Sequence, residues 1–249
     1  MMKRTRSAAG MAPIDPDKHA LFLDFDGTLA PLQADPDAVT LPIAGEQTLI
    51  ALRALFGDAL VLISGRDVRD LSARTPLELW RVGGHGLEIC APGQAPERHR
   101  TAMPPHMLAP VQALIAAYQG IRMEEKGEVV AIHYRQNPSV EFELVQKVHA
   151  LAKAMPGYKS QNGKMVIELK PNRANKGRAL SAMMQQPVFS GRLPVMVGDD
   201  TTDEDAMEAA AAAGGFGVKV GYGVTSAAFR LDDPAAVWHW LRRIIDEHA

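Results

Sequence analysis

The sequence predicts an α/β protein: a parallel sheet wrapped by helices, with a smaller α+β segment set into it. Three observations carry that expectation. Short apolar runs of strand length, Leu21-Phe22-Leu23, Leu60-Val61-Leu62-Ile63 and Pro194-Val195-Met196-Val197, alternate with stretches of helical periodicity, the order in which crossover helices join parallel strands. Each of these runs stops at a cluster of small polar or acidic residues, and sheets of this kind bind ligands beyond the carboxyl ends of their strands. From about residue 86 to residue 171 the alternation gives way to hairpin-like strands and two helices before it resumes.

Composition narrows the function classes. With 47% hydrophobic and 22% charged residues, the 249-residue chain is an ordinary globular sequence with enough apolar surface for a sizeable core. A balance of 27 Lys+Arg against 29 Asp+Glu argues against a dedicated nucleic-acid binder. The single cysteine, Cys90, excludes an internal disulfide and a thiolate metal site; between Ile89 and Ala91 it reads as a small core residue. No apolar run reaches the roughly 18 residues a membrane span needs, and no apolar segment follows Met1-Met2-Lys3-Arg4-Thr5-Arg6. The chain is therefore expected to be cytoplasmic, with residues 1 to about 17 a loose tail.

Taken in order, the first strand ends in Asp24-Phe25-Asp26-Gly27-Thr28-Leu29, after which Pro31 and Pro36 mark an exposed loop. Leu49, Leu52, Leu55 and Phe56 recur at helical spacing. The second strand stops at Ser64-Gly65-Arg66, a short helix through Val68 and Leu71 ends near Pro76, and Leu79-Trp80-Arg81-Val82 leads to Gly83-Gly84-His85-Gly86. In the insert, Leu108, Val111, Leu114, Ile115 and Tyr118 mark one helix, and Phe142, Val145, Val148, Leu151 and Ala152 the other. Period-2 alternation puts Ala131, His133 and Arg135 on one face of a strand, opposite Val130, Ile132 and Tyr134; near residue 170 it separates Val166, Glu168 and Lys170 from Met165, Ile167 and Leu169. The alternation returns with Asn175-Lys176-Gly177 opening a helix, the strand ending in Gly198-Asp199-Asp200-Thr201-Thr202-Asp203-Glu204-Asp205, an Ala-rich helix from Ala206, a strand through Val218, and a C-terminal helix with Val237, Leu241, Ile244 and Ile245. Met183, Met184, Met196, Met207, Trp238 and Trp240 read as packing residues.

The polar strand ends suggest chemistry. Asp24, Asp26, Thr28, Ser64, Asp199, Asp200 and Asp203 offer hard oxygen ligands suited to Mg²⁺. A carboxylate can also serve as nucleophile toward phosphorus, with a metal and a lysine compensating charge and a second carboxylate two residues on moving the proton. Singly, none of these features is specific; Ser64 also reads as a helix cap and Lys176 as a surface charge. Their conjunction, in this order along the chain, points to phosphoryl transfer.

These four segments resemble the motifs of the haloacid dehalogenase superfamily of phosphohydrolases across residues 20 to 205. More narrowly, Gly83-Gly84-His85-Gly86-Leu87-Glu88, Ala131-Ile132-His133-Tyr134-Arg135 and Glu168-Leu169-Lys170-Pro171 are similar to segments of the trehalose-6-phosphate phosphatases. The resemblance implies a Rossmann-like catalytic core at residues 18–85 and 172–249 and an α+β cap at 86–171 that closes over the site. It implies Asp24 as nucleophile and Asp26 as general acid/base, with Mg²⁺ held by Asp24, the Asp26 carbonyl and Asp199, and oriented by Asp203; Asp200 can exchange roles with Asp199. It further implies Thr28, Ser64 and Lys176 on the phosphoryl group. Arg135, Glu168 and Lys170 are proposed for the sugar, with Arg66 and His85 near the hinge or the phosphate. The substrate expected is a small sugar phosphate: trehalose 6-phosphate or, alternatively, sucrose 6-phosphate or mannosyl-3-phosphoglycerate. Nucleic acid and membrane partners are not expected, and the chain is taken as a monomer or weak homo-oligomer. A phospho-acceptor signalling module is the competing class, but such modules lack both the second aspartate at i+2 and the insert.

Overall fold

The computed structural model describes residues 6–7, 13–33, 35–96, 102–163 and 165–249. The elements run β1 (Arg6–Ser7), β2 (His19–Leu23), α1 (Gly45–Leu55), β3 (Leu60–Ile63), α2 (Val68–Arg74), β4 (Trp80–Gly83) and β5 (Glu88–Cys90). They continue with α3 (Pro105–Ile115), β6 (Arg122–Lys126), β7 (Val129–His133), α4 (Glu141–Ala154), β8 (Tyr158–Gly163) and β9 (Val166–Pro171). The chain closes with α5 (Lys176–Met183), β10 (Leu193–Gly198), α6 (Thr201–Ala212), β11 (Phe216–Val220), β12 (Phe229–Leu231) and α7 (Pro234–Asp246).

Two compact units result, one from residues up to Pro96 together with Asn175–Ala249, the other from Glu97–Ala174. The larger holds an eight-stranded sheet in the order β1-β12-β11-β10-β2-β3-β4-β5. Every pairing in it is parallel except β4 with β5. Leu21, Phe22 and Leu23 of β2, Val61 and Leu62 of β3, and Val195, Met196 and Val197 of β10 are fully buried, as expected of parallel strands covered on both faces. The walk along the sheet reverses at β2, whose neighbours β3 and β10 lie far apart in sequence. Such a reversal opens a crevice at the carboxyl ends of the strands.

The division between the units falls later than the sequence suggested on both sides. Residues 88–90, expected in the insert, pair antiparallel with β4 and so extend the larger sheet. Of the residues expected as a tail, 1–5 and 8–12 lie outside the described ones; Arg6–Ser7 pairs with β12, and Ile14 is buried in the core. Among the described residues, no helix is long and apolar enough to cross a membrane.

The smaller unit is an antiparallel sheet, β6-β7-β9-β8, with α3 and α4. Val130, Ile132, Ile167 and Leu169 pack with Val111 of α3 and Leu144 and Val148 of α4. The register aligns Glu124, Ala131, Glu168 and Gln161 across the four strands, so the opposite face carries Glu124, Lys126, His133, Gln161, Glu168 and Lys170. Met165 does not share the alternation of Ile167 and Leu169: it precedes β9 with φ 59°, partly exposed.

Candidate active site

The site grows from the end of β2. Beyond Leu23 the Asp24 amide donates to the Val197 carbonyl at 3.0 Å, carrying the β2–β10 pairing one residue past the strand and fixing Asp24 beside the end of β10. The chain then turns tightly, with Gly27 N–H on the Ala30 carbonyl at 2.7 Å and the amides of Leu29 and Ala30 on the Phe25 carbonyl. Gly27 sits at φ 81°, and a Cβ there would overlap the Asp199 carboxylate; the position needs both the left-handed backbone and the space. From the C-terminal helix α7, the buried Trp238 indole donates to the Leu29 carbonyl at 2.7 Å and ties down the turn.

Asp24, Asp199 and Asp203 are all buried, and each presents a carboxylate oxygen within 4.8 Å of the others. Asp203 closes against Gly198, where a Cβ would collide with its side chain. Lys176, the first residue of α5, reaches Asp24 Oδ1 at 2.7 Å and Asp203 Oδ1 at 2.6 Å. Its helix start is fixed by Asn175, whose side chain accepts from the Arg178 amide at 2.8 Å. Burial raises the Asp24 carboxyl well above the usual range; repulsion from Asp203 and Asp199 adds to this and Lys176 opposes it. Burial works against the charge on Lys176, but Asp203 and Asp24 outweigh it and hold the lysine protonated. Three buried carboxylates thus converge within 4.8 Å of one another. That donor set fits a hard divalent cation, and no cysteine or histidine belongs to it.

Asp200 is turned elsewhere. Its carboxylate accepts from the Thr201 amide at 2.6 Å, and with Asp203 it forms a reciprocal capping box at the start of α6. The helix therefore begins at Thr201, several residues before the Ala-rich stretch that marks it in the sequence, and Asp203 projects from its first turn.

Asp26 is held by Arg66 in a two-pronged pair, Nε to Oδ2 at 2.7 Å and Nη2 to Oδ1 at 2.6 Å. Arg66 is buried, and its other contacts are Asp70 at 2.6 Å and the Pro36 carbonyl at 2.9 Å. Burial opposes its charge, and hydrogen bonds and attraction from Asp26 and Asp70 more than restore it. An arginine expected near the substrate thus lies against the second aspartate. Ser64 is buried and accepts from the Arg66 amide at 3.1 Å. The Thr28 hydroxyl is buried with no hydrogen-bond partner among the described residues. His85, at φ 57°, is buried and donates its amide to the Ser64 carbonyl at 3.0 Å.

In the smaller unit Glu168 and Lys170 share the polar sheet face, their charged ends 3.8 Å apart. Arg135 is exposed beyond the end of β7. Sequence reasoning did not single out Glu124 on this face, which His133 contacts at 2.9 Å and Lys126 at 3.7 Å. Burial pushes the Glu124 carboxyl up, but His133, Lys126 and Arg122 together bring it down to about 2. Its strand, Arg-Met-Glu-Glu-Lys, has a single apolar residue to reveal it.

The open parallel sheet with an insert after β5 gives the fold class, that of haloacid dehalogenase-like hydrolases. A solved haloacid dehalogenase-like hydrolase from B. subtilis shares the fold over 90% of this chain and 98% of its own, with a TM-score of 0.64 at 15% identity. Within that class the trehalose-phosphatase family model matches residues 22–235. The trehalose-6-phosphate phosphatase of Escherichia coli is 38% identical over 230 residues, covering 91% of this chain and 86% of the relative. The C-terminal domain of the C. albicans trehalose-6-phosphate phosphatase superposes with a TM-score of 0.79 at 22% identity, covering 92% of this chain and 93% of that domain. The chain belongs to the trehalose-phosphatase family and is a phosphatase.

Proposed function

We propose that the protein hydrolyses trehalose 6-phosphate to trehalose and phosphate, with Mg²⁺ as cofactor and an aspartyl-phosphate on Asp24 as intermediate. The observation that carries the reading is Lys176 bridging Asp24 and Asp203 inside a cluster of three buried carboxylates. The family supplies the substrate.

Asp24 Oδ attacks phosphorus as the bond to the sugar oxygen breaks, and Asp26 delivers the proton that oxygen needs. Water then attacks the aspartyl-phosphate, losing its proton to Asp26 and releasing phosphate and free Asp24. Lys176 offsets the repulsion between the Asp24 carboxylate and the incoming phosphate. The unpartnered Thr28 hydroxyl supports a role for Thr28 on a phosphoryl oxygen, beside Ser64 and Lys176. Asp24, the Asp26 carbonyl and Asp199 would hold Mg²⁺, which would supply charge neutralisation for the transferring phosphoryl group. Asp203 orients that set through its bond to Lys176. Because Arg66 holds both carboxylate oxygens of Asp26, we assign Arg66 to orienting Asp26 rather than to the sugar. Recognition of the many hydroxyls of a disaccharide falls to Glu168, Lys170 and Glu124 on the polar face of the smaller unit, where carboxylate acceptors and ammonium donors lie side by side.

Phosphate release is measured from trehalose 6-phosphate, sucrose 6-phosphate and mannosyl-3-phosphoglycerate, with Mg²⁺ and with EDTA. Turnover that needs the cation and favours trehalose 6-phosphate by well over tenfold supports the proposal. A preference below about tenfold, worth about 1.4 kcal/mol, removes the specific substrate.

A further inference from the structure

Lys219 lies outside every motif discussed so far, yet it reaches the acidic cluster through the backbone. It is the next-to-last residue of β11, paired in register with Gly198 at the end of β10. Its side chain is 4% exposed, and its ammonium donates to the main-chain carbonyl of Asp199 at 2.7 Å.

That carbonyl belongs to the peptide unit joining Asp199 to Asp200, in the two-residue link between β10 and α6. The N–H of the same unit donates to Asp203 Oδ2 at 3.0 Å. One planar peptide is thus gripped at both of its polar atoms, and a planar unit held at both ends has little freedom to rotate. Its orientation sets the direction in which the Asp199 side chain leaves the chain, toward the space that Gly27 keeps open.

The charge on Lys219 is matched by a carboxylate that is not one of the three in the cluster. Glu204 Oε1 is 3.5 Å from its ammonium. Glu204 Oε2 accepts from the Ser226 amide at 2.8 Å, the Ser226 hydroxyl at 2.9 Å and the Thr225 hydroxyl at 3.2 Å. The lysine is braced by Glu204 and pulls on the Asp199 carbonyl.

We propose that Lys219 is a positioning residue for the cation site, fixing the Asp199–Asp200 peptide so that the Asp199 carboxylate meets the metal preformed. This rests on the reading of Asp199 as a cation ligand. The inference has a sign that separates it from simple electrostatics. Removing a positive charge near three carboxylates, and leaving Glu204 without its cation, would by charge alone tighten cation binding. Loss of the positioning bond loosens it.

The test is direct binding of Mn²⁺ to the full chain, with free Mn²⁺ followed by its electron paramagnetic resonance signal, beside the Mg²⁺ dependence of turnover. K219M is expected to weaken Mn²⁺ binding about tenfold or more, within the range seen when groups behind metal ligands are removed. The Mg²⁺ needed for half-maximal turnover rises in step, while kcat at saturating Mg²⁺ falls several-fold less than the affinity does. K219R, which keeps a donor of similar reach, recovers most of the lost affinity. Unchanged or tighter Mn²⁺ binding by K219M, with the wild type binding normally, overturns the role of Lys219. Failure of K219R to restore any affinity overturns it as well. Should K219M not fold, as judged by circular dichroism, K219Q with its shorter side chain is measured against the same criteria. If the wild-type chain itself does not bind Mn²⁺, it is the cation-site reading that fails, and the Lys219 inference falls with it.

Discussion

The two units organise their charged residues in opposite ways. In the larger, Asp24, Asp199 and Asp203 are buried close together with Lys176 bridging the first and last, and the chain around them leaves no slack: Gly27 and Gly198 have no room for a side chain. In the smaller, Glu124, Lys126, His133, Glu168 and Lys170 share one face of an antiparallel sheet, most of them half-buried, each pair standing on neighbouring or alternate positions of regular strands. Buried clusters of like charge are costly unless compensated, a cost that the proposed chemistry accounts for. A polar sheet face costs little, and suits a ligand whose hydroxyls can be met by any of several donors and acceptors.

If that division is right, substitutions in the two units fail differently. Asp24→Asn is expected to lower turnover of trehalose 6-phosphate by roughly 10⁴-fold or more while leaving the circular dichroism spectrum and melting temperature close to those of the wild type. Near-normal turnover would break the comparison at its strongest point. Glu168→Gln is expected to reduce kcat/KM for trehalose 6-phosphate by about 10-fold to 100-fold, the range for a lost charged hydrogen bond, and to do so mainly through KM. The loss for p-nitrophenyl phosphate, which has no sugar, is expected to be at least tenfold smaller. Equal losses with both substrates would move Glu168 from recognition to catalysis.

Smaller effects sharpen the contrast through stability. Trp238→Phe leaves the buried Leu29 carbonyl without its donor, a cost of about 1–3 kcal/mol, seen as a drop of several degrees in Tm. The smallest effect concerns Glu124, whose carboxyl is held down at about 2 against an ordinary 4.5. A depressed carboxyl stabilises the fold above its unfolded value and loses that contribution as pH falls toward its folded value. Thermal stability of the wild type is therefore expected to decline from about pH 4.5 downward with a component that Glu124→Gln lacks. Parallel melting curves for the two over that interval would show that the Glu124 contacts are not maintained in solution.

Much of the larger unit was readable because its strands are buried on both faces: Leu21-Phe22-Leu23 and Leu60-Val61-Leu62-Ile63 admit few other interpretations, and the polar residues that end them stand out. The edges were not. β6 and β8 carry Arg122, Glu124, Lys126, Lys159 and Gln161, and a strand with one polar face and little apolar content leaves almost no periodic trace. Asp199 and Asp200 read as interchangeable in the sequence, and only the capping box shows that Asp200 is turned to the start of α6 while Asp199 joins the acidic cluster. Arg66 was legible as a motif residue but not as the partner of Asp26, since the pairing spans 40 positions. Lys219 read as an ordinary strand residue because what it grips is a carbonyl, which every residue possesses.

The place of β2 between β3 and β10 has a consequence for how the protein comes into being. Its partner on one side is complete at Ile63, but the other begins at Leu193. While the ribosome makes the intervening residues, a largely apolar central strand has one open edge, an arrangement prone to pairing with the wrong neighbour. Asp24 must wait through synthesis of the whole smaller unit before Val197 arrives to receive its amide. The setting of Asp24 is therefore completed late in translation, although the residue itself is among the first to be made.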